Sequence, residues 1–508
     1  MRGPSSSHCA AALRIGRLAR DLMDGNLDEV LLQFDRHGAL ARTHFSQGSD
    51  MGLRGGLLGW DADDERLPNA AHALREAGVE IRIEATDLRD PHPNTYRLTL
   101  RNAAGSHTLR AISTGGGMVE VVDIDGFSVS IAGDYFETLI RTDRDGALIA
   151  ARVADLFEPD EVLTHESESG ELVEVKAQQF LPESVLELLR SEFSVRAVHR
   201  LRPVLPVLSR KNMQVPFHSC GEMLRYDADR GRPLSALAIE YESARGNLSH
   251  EEVVSRMVEL IRLWRRSVRQ GIEGTRYEDR ILGQQCGRFQ ELMDERTLID
   301  AGVLNRIVLY VSALMEVKSA MGVIVAAPTA GACATLPGAC LAVSDELGLE
   351  DEAVARAMLA AGLVGVFIAY RSTFAAEVAG CQAECGSAAC MAAAALVELA
   401  GGTLSQSLAA ASMALQNSLG MICDPVAGRV EVPCLGKNVM AASNALACAN
   451  MALADYDPVI PLDEVIDAAD QVGRSLPCEL RCTALGGLAT TPTARQIESQ
   501  LPGRCLNR

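Results

Sequence analysis

The feature that most constrains the fold is a change in composition after Pro203-Val204-Leu205-Pro206. From there to the end the sequence is rich in alanine and leucine, as in the run Met391 to Leu396. Ala and Leu are the best helix formers, and small side chains let helices pack closely. Before Pro203, short runs of alternating apolar and polar residues stand between turns, which is typical of strands. This predicts an α+β N-terminal part followed by a large all-α part.

The N-terminal part divides into segments by their periodicity. The pattern predicts helices and strands over the segments 10–23 (helix), 79–83 and 96–100 (strands), 135–141 (strand), 147–157 (helix) and 182–193 (helix). The region from about 126 to 203 is therefore predicted to form a compact unit of alternating strands and helices. Its sequence contains no group of residues typical of a catalytic site.

Charge and hydropathy exclude some classes of function. The formal net charge of -19 argues against a nucleic-acid partner, which requires clustered Lys and Arg. No basic segment followed by an apolar run follows Met1, so we expect no secretory signal. The uncharged stretch 319–344 is broken by Pro328 and Pro337, which argues against a membrane span. We expect a cytoplasmic protein that binds a small molecule.

Fourteen cysteines favour a metal site, catalysis or packing over disulfides in such a chain, and ten lie between Cys333 and Cys482. Cys381, Cys423 and Cys434 stand beside Gly, Asp and Pro, which mark helix ends. Three thiolates suit a 4Fe-4S cluster whose fourth iron stays open as a Lewis acid. Their spacing alone is weak evidence, and for any one of them a buried structural thiol is the alternative.

Two loops offer groups to a ligand. Ser5, Ser6 and Ser7 follow Gly-Pro and run into a helix start, where hydroxyls and backbone N–H groups suit a carboxylate; an ordinary N-cap is the alternative. The consecutive glycines from Gly115 to Gly117 let the backbone approach a ligand or another segment closely, although a loose turn would explain them too.

Several segments, in this order, resemble the iron-sulfur-dependent L-serine dehydratases (serine ammonia-lyases). They cover nearly the whole chain: Gly3-Pro4-Ser5-Ser6-Ser7-His8, Ser113-Thr114-Gly115-Gly116-Gly117, Met321 to Gly331 with Pro328-Thr329-Ala330-Gly331, Gly380-Cys381-Gln382-Ala383-Glu384, Cys423-Asp424-Pro425, Val432-Pro433-Cys434 and Thr483 to Leu488.

The resemblance implies a β-type domain over 1–130, an ACT-like domain over 131–208 and a helical α-type domain over 209–508. It implies a 4Fe-4S cluster on Cys381, Cys423 and Cys434, and deamination of a small β-hydroxy amino acid such as L-serine to a 2-oxo acid and ammonia. An ACT-like unit also favours a homodimer. The substrate-binding residues so implied are Ser5, Ser6, Ser7, Gln47, Ser49, Asp50, Ser113, Gly115, Gly116 and Thr329.

The sequence departs from the family where chemistry is expected. Cys9 stands where the family usually has Thr, and Gln47-Gly48-Ser49-Asp50 stands where it usually has His-x-Thr-Asp. The family's histidine is therefore replaced by Gln47, whose amide cannot serve as a base. Lys318 stands where the family has Asn. Candidate catalytic residues are therefore His8, His44 and Lys318, the last as a base or as a partner of an extra substrate carboxylate. A solvated His44 and a snorkelling Lys318 are the alternatives.

These departures lead to the hypothesis that the substrate is a β-substituted or larger β-hydroxy amino acid, or that the base has moved. Cys385 and Cys390 could compete with Cys381 as ligands, and Cys505 could cap the open iron. Two other readings stay open from sequence: a cluster-containing redox sensor and a cluster-free structural protein.

Overall fold

The computed structural model describes residues 1–211, 213–228 and 230–501. Cys505 lies outside the described residues. The N-terminal part begins with a six-stranded sheet and four helices. Their bounds are α1 (Ser6–Leu22), β1 (Glu29–Asp35), α2 (Leu40–Thr43), α3 (Ser49–Leu57), α4 (Ala70–Glu76), β2 (Glu80–Thr86), β3 (Thr95–Asn102), β4 (Gly105–Gly115), β5 (Met118–Ile124) and β6 (Phe127–Ile131).

The strand order of this sheet is β2-β1-β3-β4-β5-β6, and only the β1–β2 pair is parallel. α1 packs against β4 and β5 on one side and against α3 on the other. Its buried face carries Ile15, Leu18 and Leu22, which join Leu98 and Val121 of the sheet in one core. This contact fixes the N-terminus of α1, where the serine segment enters the helix.

A second sheet follows, with two helices on one face. The elements are β7 (Phe136–Thr142), α5 (Gly146–Leu156), β8 (Glu161–Ser167), β9 (Gly170–Ala177), α6 (Glu183–Glu192) and β10 (Val195–Leu201). The order β10-β7-β9-β8 is antiparallel throughout. Ile140 and Val173 of the sheet pack against Ile149 and Leu186 of the helices. The compact unit of alternating strands and helices is thus present.

The rest of the described chain is helical, as the alanine content predicts. The helices are α7 (Cys220–Asp227), α8 (Leu234–Gly246), α9 (His250–Glu273), α10 (Cys286–Asp294), α11 (Val303–Ser319), α12 (Thr335–Leu347), α13 (Asp351–Arg371), α14 (Ala376–Ala379), α15 (Cys385–Leu399), α16 (Leu404–Gln416), α17 (Cys434–Leu453), α18 (Leu462–Ser475) and α19 (Pro492–Gln500).

α15 is the central helix of this part. It packs against α12, α13, α16 and α17, and its run Ala392 to Ala395 is fully buried. Alanine permits this, because its small side chain lets four neighbouring helices approach one axis. The helices therefore bring their ends, and the loops that join them, together around the start of α15.

Among the described residues, one helix is long and apolar enough by composition to cross a membrane: α13, with 67% of its apolar window buried inside the protein. The stretch 319–344, which the sequence singled out, is not one helix. It contains the end of α11, a loop around Pro328 and most of α12.

The predicted fold class is confirmed, with small shifts in the ends of elements. The first helix starts at Ser6 and not at Ala10, because the serines continue into helical backbone. The strands predicted over 79–83 and 96–100 extend to Thr86 and Asn102.

Candidate active site and metal centre

The three cysteines predicted as ligands lie at breaks in the helical structure. Cys381 opens a short 3-10 turn between α14 and α15, directly after Gly380, whose φ of +72° favours glycine. Cys423 pairs with Arg481 as an isolated parallel bridge. Cys434 is the first residue of α17 and follows Pro433. All three are buried.

Two of these thiols come together with a carboxylate. The sulfurs of Cys381 and Cys423 and a carboxylate oxygen of Glu384 all lie within 4.8 Å of one another. Cys434 is close enough for the charge of Cys381 to act on it: burial first, and then that charge, raise the pKa of Cys434. Loops that are distant in sequence thus converge on one buried group of thiols.

Two further thiols belong to this group. Cys385 and Cys423 both hydrogen-bond to Cys381, and Cys482 hydrogen-bonds to Cys423. Cys390, named from sequence as a competitor, lies elsewhere: the charges that act on it come from Cys220 and Cys448. We call Cys381, Cys385, Cys423, Cys434 and Cys482 the thiol cluster.

The electrostatics of the thiol cluster favour one thiolate. Hydrogen bonds from Cys385 and Cys423 lower the pKa of Cys381 well below its ordinary value, against the effect of burial and with help from Lys437. Lys437 Nζ donates to Ile422 O at 2.6 Å and Asp424 Oδ1 at 2.7 Å. Burial opposes the charge of Lys437, but the negative charge of Cys381 and Asp424 raises its pKa.

An iron-sulfur cluster fits these residues. Cluster irons take cysteine sulfur, and buried thiols with a lysine nearby match a polynuclear site that carries net negative charge. The predicted ligands Cys381, Cys423 and Cys434 all belong to the thiol cluster.

The N-terminal serine segment reaches the loop that precedes α12. Ser7 Oγ accepts a hydrogen bond from the Ala330 N–H at 2.7 Å. Ser6 Oγ donates to Gly3 O at 3.1 Å, within its own turn. Ser5 N–H donates to Gln47 O at 3.1 Å. The segment is therefore held from two sides, with all three serines buried.

His8 lies between Ser5 and an acid from the helical part. Its Nδ1 is 2.6 Å from Ser5 Oγ, and its Nε2 is 2.6 Å from Glu377 Oε1. Burial alone would raise the pKa of Glu377, but His8 and nearby hydrogen-bond donors lower it to about 2. In a neutral His8 that carries its proton on Nε2, beside this carboxylate, the lone pair of Nδ1 would accept from the Ser5 hydroxyl.

Thr329 and Glu384 join this region to the thiols. Thr329 Oγ1 donates to Glu384 Oε1 at 2.6 Å. Burial, followed by the charge of Cys381, raises the pKa of Glu384 to about 8. A Cβ at Gly331 would stand 2.5 Å from Glu384 Oε1, so a larger residue at this position would have to displace the carboxylate.

The glycine loop between β4 and β5 packs against both neighbouring loops. A Cβ at Gly115 would lie 2.9 Å from Ala375 N, and one at Gly116 would lie 3.1 Å from Pro328 O. Both residues have positive φ. Ser113 is buried just before them, and its N–H donates to Asn94 O at 3.1 Å.

Gln47, Asp50 and His44 each contact a different kind of partner. Gln47 is fully buried, its Nε2 donates to Cys482 Sγ at 3.4 Å, and its Oε1 has no hydrogen-bond partner among the described residues. Asp50 Oδ2 accepts from Arg54 at 2.6 Å within α3, whose first residue is the buried Ser49. His44 packs 5.2 Å from the Phe34 ring, and burial lowers its pKa.

Lys318 is fully buried and does not snorkel to solvent. Its Nζ donates to Pro4 O at 3.0 Å and also to Val430 O. It thus joins the serine segment to the loop before Cys434. Cys9, another departure from the family, packs with Leu13 and Leu67, and burial raises its pKa to about 12.

The sequence of this chain is similar to a family of known proteins. The family model described as "Serine dehydratase alpha chain" matches residues 229–489. A protein of Bacillus subtilis (strain 168) named "Probable L-serine dehydratase, alpha chain" is 38% identical over 290 residues, which are 57% of this chain and 97% of that protein. The chain belongs to the serine dehydratase family.

Two further relatives are also named as L-serine dehydratases. A protein of Latilactobacillus sakei named "Probable L-serine dehydratase, alpha chain" is 49% identical over 189 residues, 37% of this chain and 90% of that protein. Escherichia coli (strain K12) "L-serine dehydratase 2" is 33% identical over 282 residues, 54% of this chain and 61% of that protein. The matched family region contains the thiol cluster, Lys318, Thr329 and Glu377.

Sequence reasoning missed several residues of this serine dehydratase site. Glu384 stood in a quoted motif but was given no role. The sequence around Glu377, Cys482 and Asn438 did not indicate that these residues belong to the site. Asn438 Nδ2 donates to Gly331 O at 2.7 Å and to Cys434 O at 2.8 Å, so it fixes the start of α17 against the loop before α12. Only the tertiary structure brings these residues to the site.

Proposed function

We propose that this protein is an iron-sulfur-dependent L-serine ammonia-lyase that converts L-serine to pyruvate and ammonia. The relatives named as L-serine dehydratases support the substrate. The observation that carries the proposal is the convergence of Cys381, Cys423 and Glu384 within 4.8 Å, joined through Thr329 to the loop that holds Ser7. Membership of an enzyme family favours this function over a redox sensor or a structural protein.

Cys381, Cys423 and Cys434 would hold a 4Fe-4S cluster in this proposal. When bound, the cluster supplies an iron Lewis acid that polarises the β-hydroxyl and stabilises the charge that develops on its oxygen as water leaves. The residues of the chain bind and orient the substrate beside it.

The serine segment would bind the substrate carboxylate. It lies at the N-terminus of α1, where unpaired N–H groups and the helix dipole favour an anion. Ser5 and Ser7 are held by His8 and Ala330, so their hydroxyls are positioned before substrate arrives. Positioning of this kind lowers the entropic part of the barrier.

His8 is the proposed base for the Cα proton. With its proton on Nε2, which lies 2.6 Å from Glu377 Oε1, a neutral His8 would accept from the Ser5 hydroxyl at Nδ1. A substrate that takes over the Ser5 hydroxyl leaves Nδ1 free to accept a proton. His44 is a weaker candidate, because it packs on Phe34 and its Nδ1 is buried without a partner among the described residues.

Lys318 gives little support to a substrate with a second carboxylate. Two of the three donors on its Nζ are used by the carbonyls of Pro4 and Val430. We therefore place L-serine before larger β-hydroxy or β-substituted amino acids. Lys318 would act by holding the serine segment against the loop before Cys434.

We also propose the division into a β-type domain (1–130), an ACT-like domain (131–208) and an α-type domain (209–508). The second sheet, with its helices on one face, supports an ACT-like unit. A homodimer and a cytoplasmic location are further parts of this proposal.

The test is anaerobic reconstitution with iron and sulfide, followed by assays of 2-oxo acid and ammonia. L-Serine, L-threonine, L-cysteine and 3-hydroxyaspartate are compared by kcat/KM. We expect highest activity on L-serine and loss of activity in His8→Asn with its cluster intact; His72→Asn, at an exposed histidine, is the control. If the enzyme with its iron-sulfur cluster turned over none of these substrates, the proposal would be overturned. A preference for 3-hydroxyaspartate would instead support the hypothesis of a larger β-hydroxy amino acid as substrate.

A further inference from the structure

Two glutamates are buried on one face of the second sheet. Glu137 of β7 is 1% exposed, and Glu174 of β9 is fully buried. The register places Glu137 opposite Lys176 of β9, and it places Glu174 opposite Leu139 of β7. Cross-strand partners share a face of a sheet, and so do residues two apart along a strand. Both carboxylates, Lys176 and Leu139 therefore lie on the same face.

This face is turned towards the first sheet and not towards α5 and α6. Its residues Leu139, Leu172 and Leu201 belong to the hydrophobic core of the first sheet and α1. Lys176 Nζ donates to Ser130 O of β6 at 2.9 Å, which bonds the second sheet to the edge strand of the first. The two glutamates thus lie in the contact between the two sheets.

The two carboxylates differ in their partners. Glu174 Oε2 lies 2.6 Å from His165 Nε2, and Glu174 Oε1 lies 3.3 Å from Lys176 Nζ. Both oxygens of Glu137 are buried without a hydrogen-bond partner among the described residues. An ionised carboxylate in such a place is strongly unfavourable, whereas the neutral acid is tolerated far better. The geometry therefore favours a proton on Glu137.

Carboxylates outnumber cations among the groups whose charge acts on Glu137. Burial first, and then the charge of Glu174, raise the pKa of Glu137 well above its ordinary value, while Lys176 opposes them. With a proton on Glu137, the remaining pair of Glu174 and Lys176 is neutral. The titratable and charged groups on the elements packed around Glu137 are Glu174 and Lys176 of β9, Glu161 and His165 of β8, His199 of β10, Arg141 of β7 itself, Asp134 and Tyr135 before β7, Asp21 of α1, and Asp125 and His107 of the first sheet.

We propose that Glu137 is a proton-dependent latch between the two sheets: it lies in their contact as the neutral acid, and the contact weakens as rising pH favours its carboxylate. On ionisation the O–H bond of the Glu137 carboxyl group breaks and the proton passes to water. The new carboxylate then draws on Lys176, opposite it, and so competes with Ser130 O for that ammonium. The latch acts in the N-terminal part and does not depend on the function proposed above.

The closed contact holds this proton to higher pH than an opened contact does. When the contact opens, Glu137 is exposed to water and ionises near its ordinary pKa of 4.5, whereas burial and Glu174 raise that pKa in the closed contact. Opening therefore becomes easier as the pH rises from 4.5 towards the raised pKa, by about tenfold for each pH unit, and levels off above it.

The test is hydrogen–deuterium exchange of the full chain between about pH 5.5 and 8, corrected for the pH dependence of the intrinsic exchange rate. The segments followed are 127–142 and 170–177, which carry the two sides of the contact. Wild type is compared with Glu137→Gln, whose amide imitates the neutral acid and cannot ionise. Glu161→Gln is the matched control, because Glu161 is half-exposed and lies 3.8 Å from the same Lys176 Nζ.

We expect opening of these segments to rise by about tenfold per pH unit in wild type and in Glu161→Gln, and to be independent of pH in Glu137→Gln. An infrared difference spectrum between wild type and Glu137→Gln at pH 7 should show the carbonyl band of one protonated carboxyl group. This band reports the proton itself, which a merely structural role of Glu137 would not produce.

Other outcomes contradict the inference. The same pH dependence in wild type and Glu137→Gln would show that another group controls the contact. Absence of the protonated-carboxyl band would exclude the proton, and slowing of exchange by added Mg²⁺ or K⁺ would then assign a bound cation in its place. If Glu137→Gln did not fold, exchange of wild type that is independent of pH would still overturn the latch.

Discussion

Glu377 shows how one buried carboxylate couples stability to pH. Burial would raise its pKa, but His8 and hydrogen-bond donors lower it from 4.5 to about 2. A carboxylate with a lowered pKa stabilises the folded state at pH values above 4.5, and this contribution is lost as the pH falls from 4.5 towards 2.

We therefore expect Glu377→Gln to lower the free energy of unfolding by about 3 kcal/mol at pH 7 and to flatten its pH dependence below pH 5. The measurement is urea unfolding at several pH values. Glu158→Gln, at an exposed glutamate, should change neither. An unchanged acid limb in Glu377→Gln would show that His8 does not stabilise this carboxylate.

Lys318 is a second residue whose role depends on its partners. Its Nζ is fully buried between the carbonyls of Pro4 and Val430. Lys318→Met keeps the approximate volume and leaves the carbonyls of Pro4 and Val430 without this donor, so we expect a loss of about 2–5 kcal/mol in unfolding free energy. Lys211→Met, at an exposed lysine, should lie within about 0.5 kcal/mol of wild type in the same denaturation experiment. Equal stability of both variants would contradict this role.

At the scale of elements, glycine decides how α1 meets α3. A Cβ at Gly52 would lie 2.0 Å from Cys9 O, and one at Gly56 would lie 2.0 Å from Leu13 O. The two helices can approach this closely only with glycine at these positions. Because α1 begins with the serine segment, this contact also sets the position of Ser6, Ser7 and His8.

Gly52→Ala should therefore separate the two helices and destabilise the protein by about 1–3 kcal/mol. We expect a raised KM for L-serine as well, since the start of α1 moves. Gly362→Ala is the matched control, because a Cβ at this glycine within α13 would meet no atom within 4 Å. Alanine there should be neutral or stabilise by up to about 1 kcal/mol. Thermal unfolding of the two variants separates close packing from helix propensity.

At the scale of the whole molecule, the thiol cluster joins parts that are distant in sequence. The thiol cluster draws on the start of α15, the loop around Cys423, the start of α17 and the segment before α19. A group bound only by the folded state stabilises that state by mass action. Loss of the proposed iron-sulfur cluster should then lower the stability of the whole protein against unfolding.

We expect removal of iron by a chelator under anaerobic conditions to lower Tm by about 3–5 °C, for a contribution of about 3–5 kcal/mol. Limited proteolysis should then cleave around residues 420–434. Cys381→Ser should show the lowered Tm before chelation and no further change after it. A Tm that does not respond in wild type would mean that the cluster does not stabilise the fold.

The predictable parts of the fold follow from local patterns. Alanine and leucine at helical spacing predicted the helical half, and alternation predicted the strands, because both are properties of neighbouring residues. Cys381, Cys423 and Cys434 were found through motifs, and all three lie in the thiol cluster. Cys390 was named with Cys385 as a competitor, but only Cys385 lies there, since sequence distance does not show which way a helix turns a side chain.

The sequence by itself therefore determined the fold class, the family and the cysteines proposed as metal ligands, since composition, periodicity and motifs are carried by adjacent residues. The tertiary structure decided the surroundings of those ligands. Glu377 opposite His8, Gln47 on Cys482, and Lys318 between Pro4 and Val430 each join segments separated by more than a hundred residues. Such contacts depend on how helices and sheets pack in space.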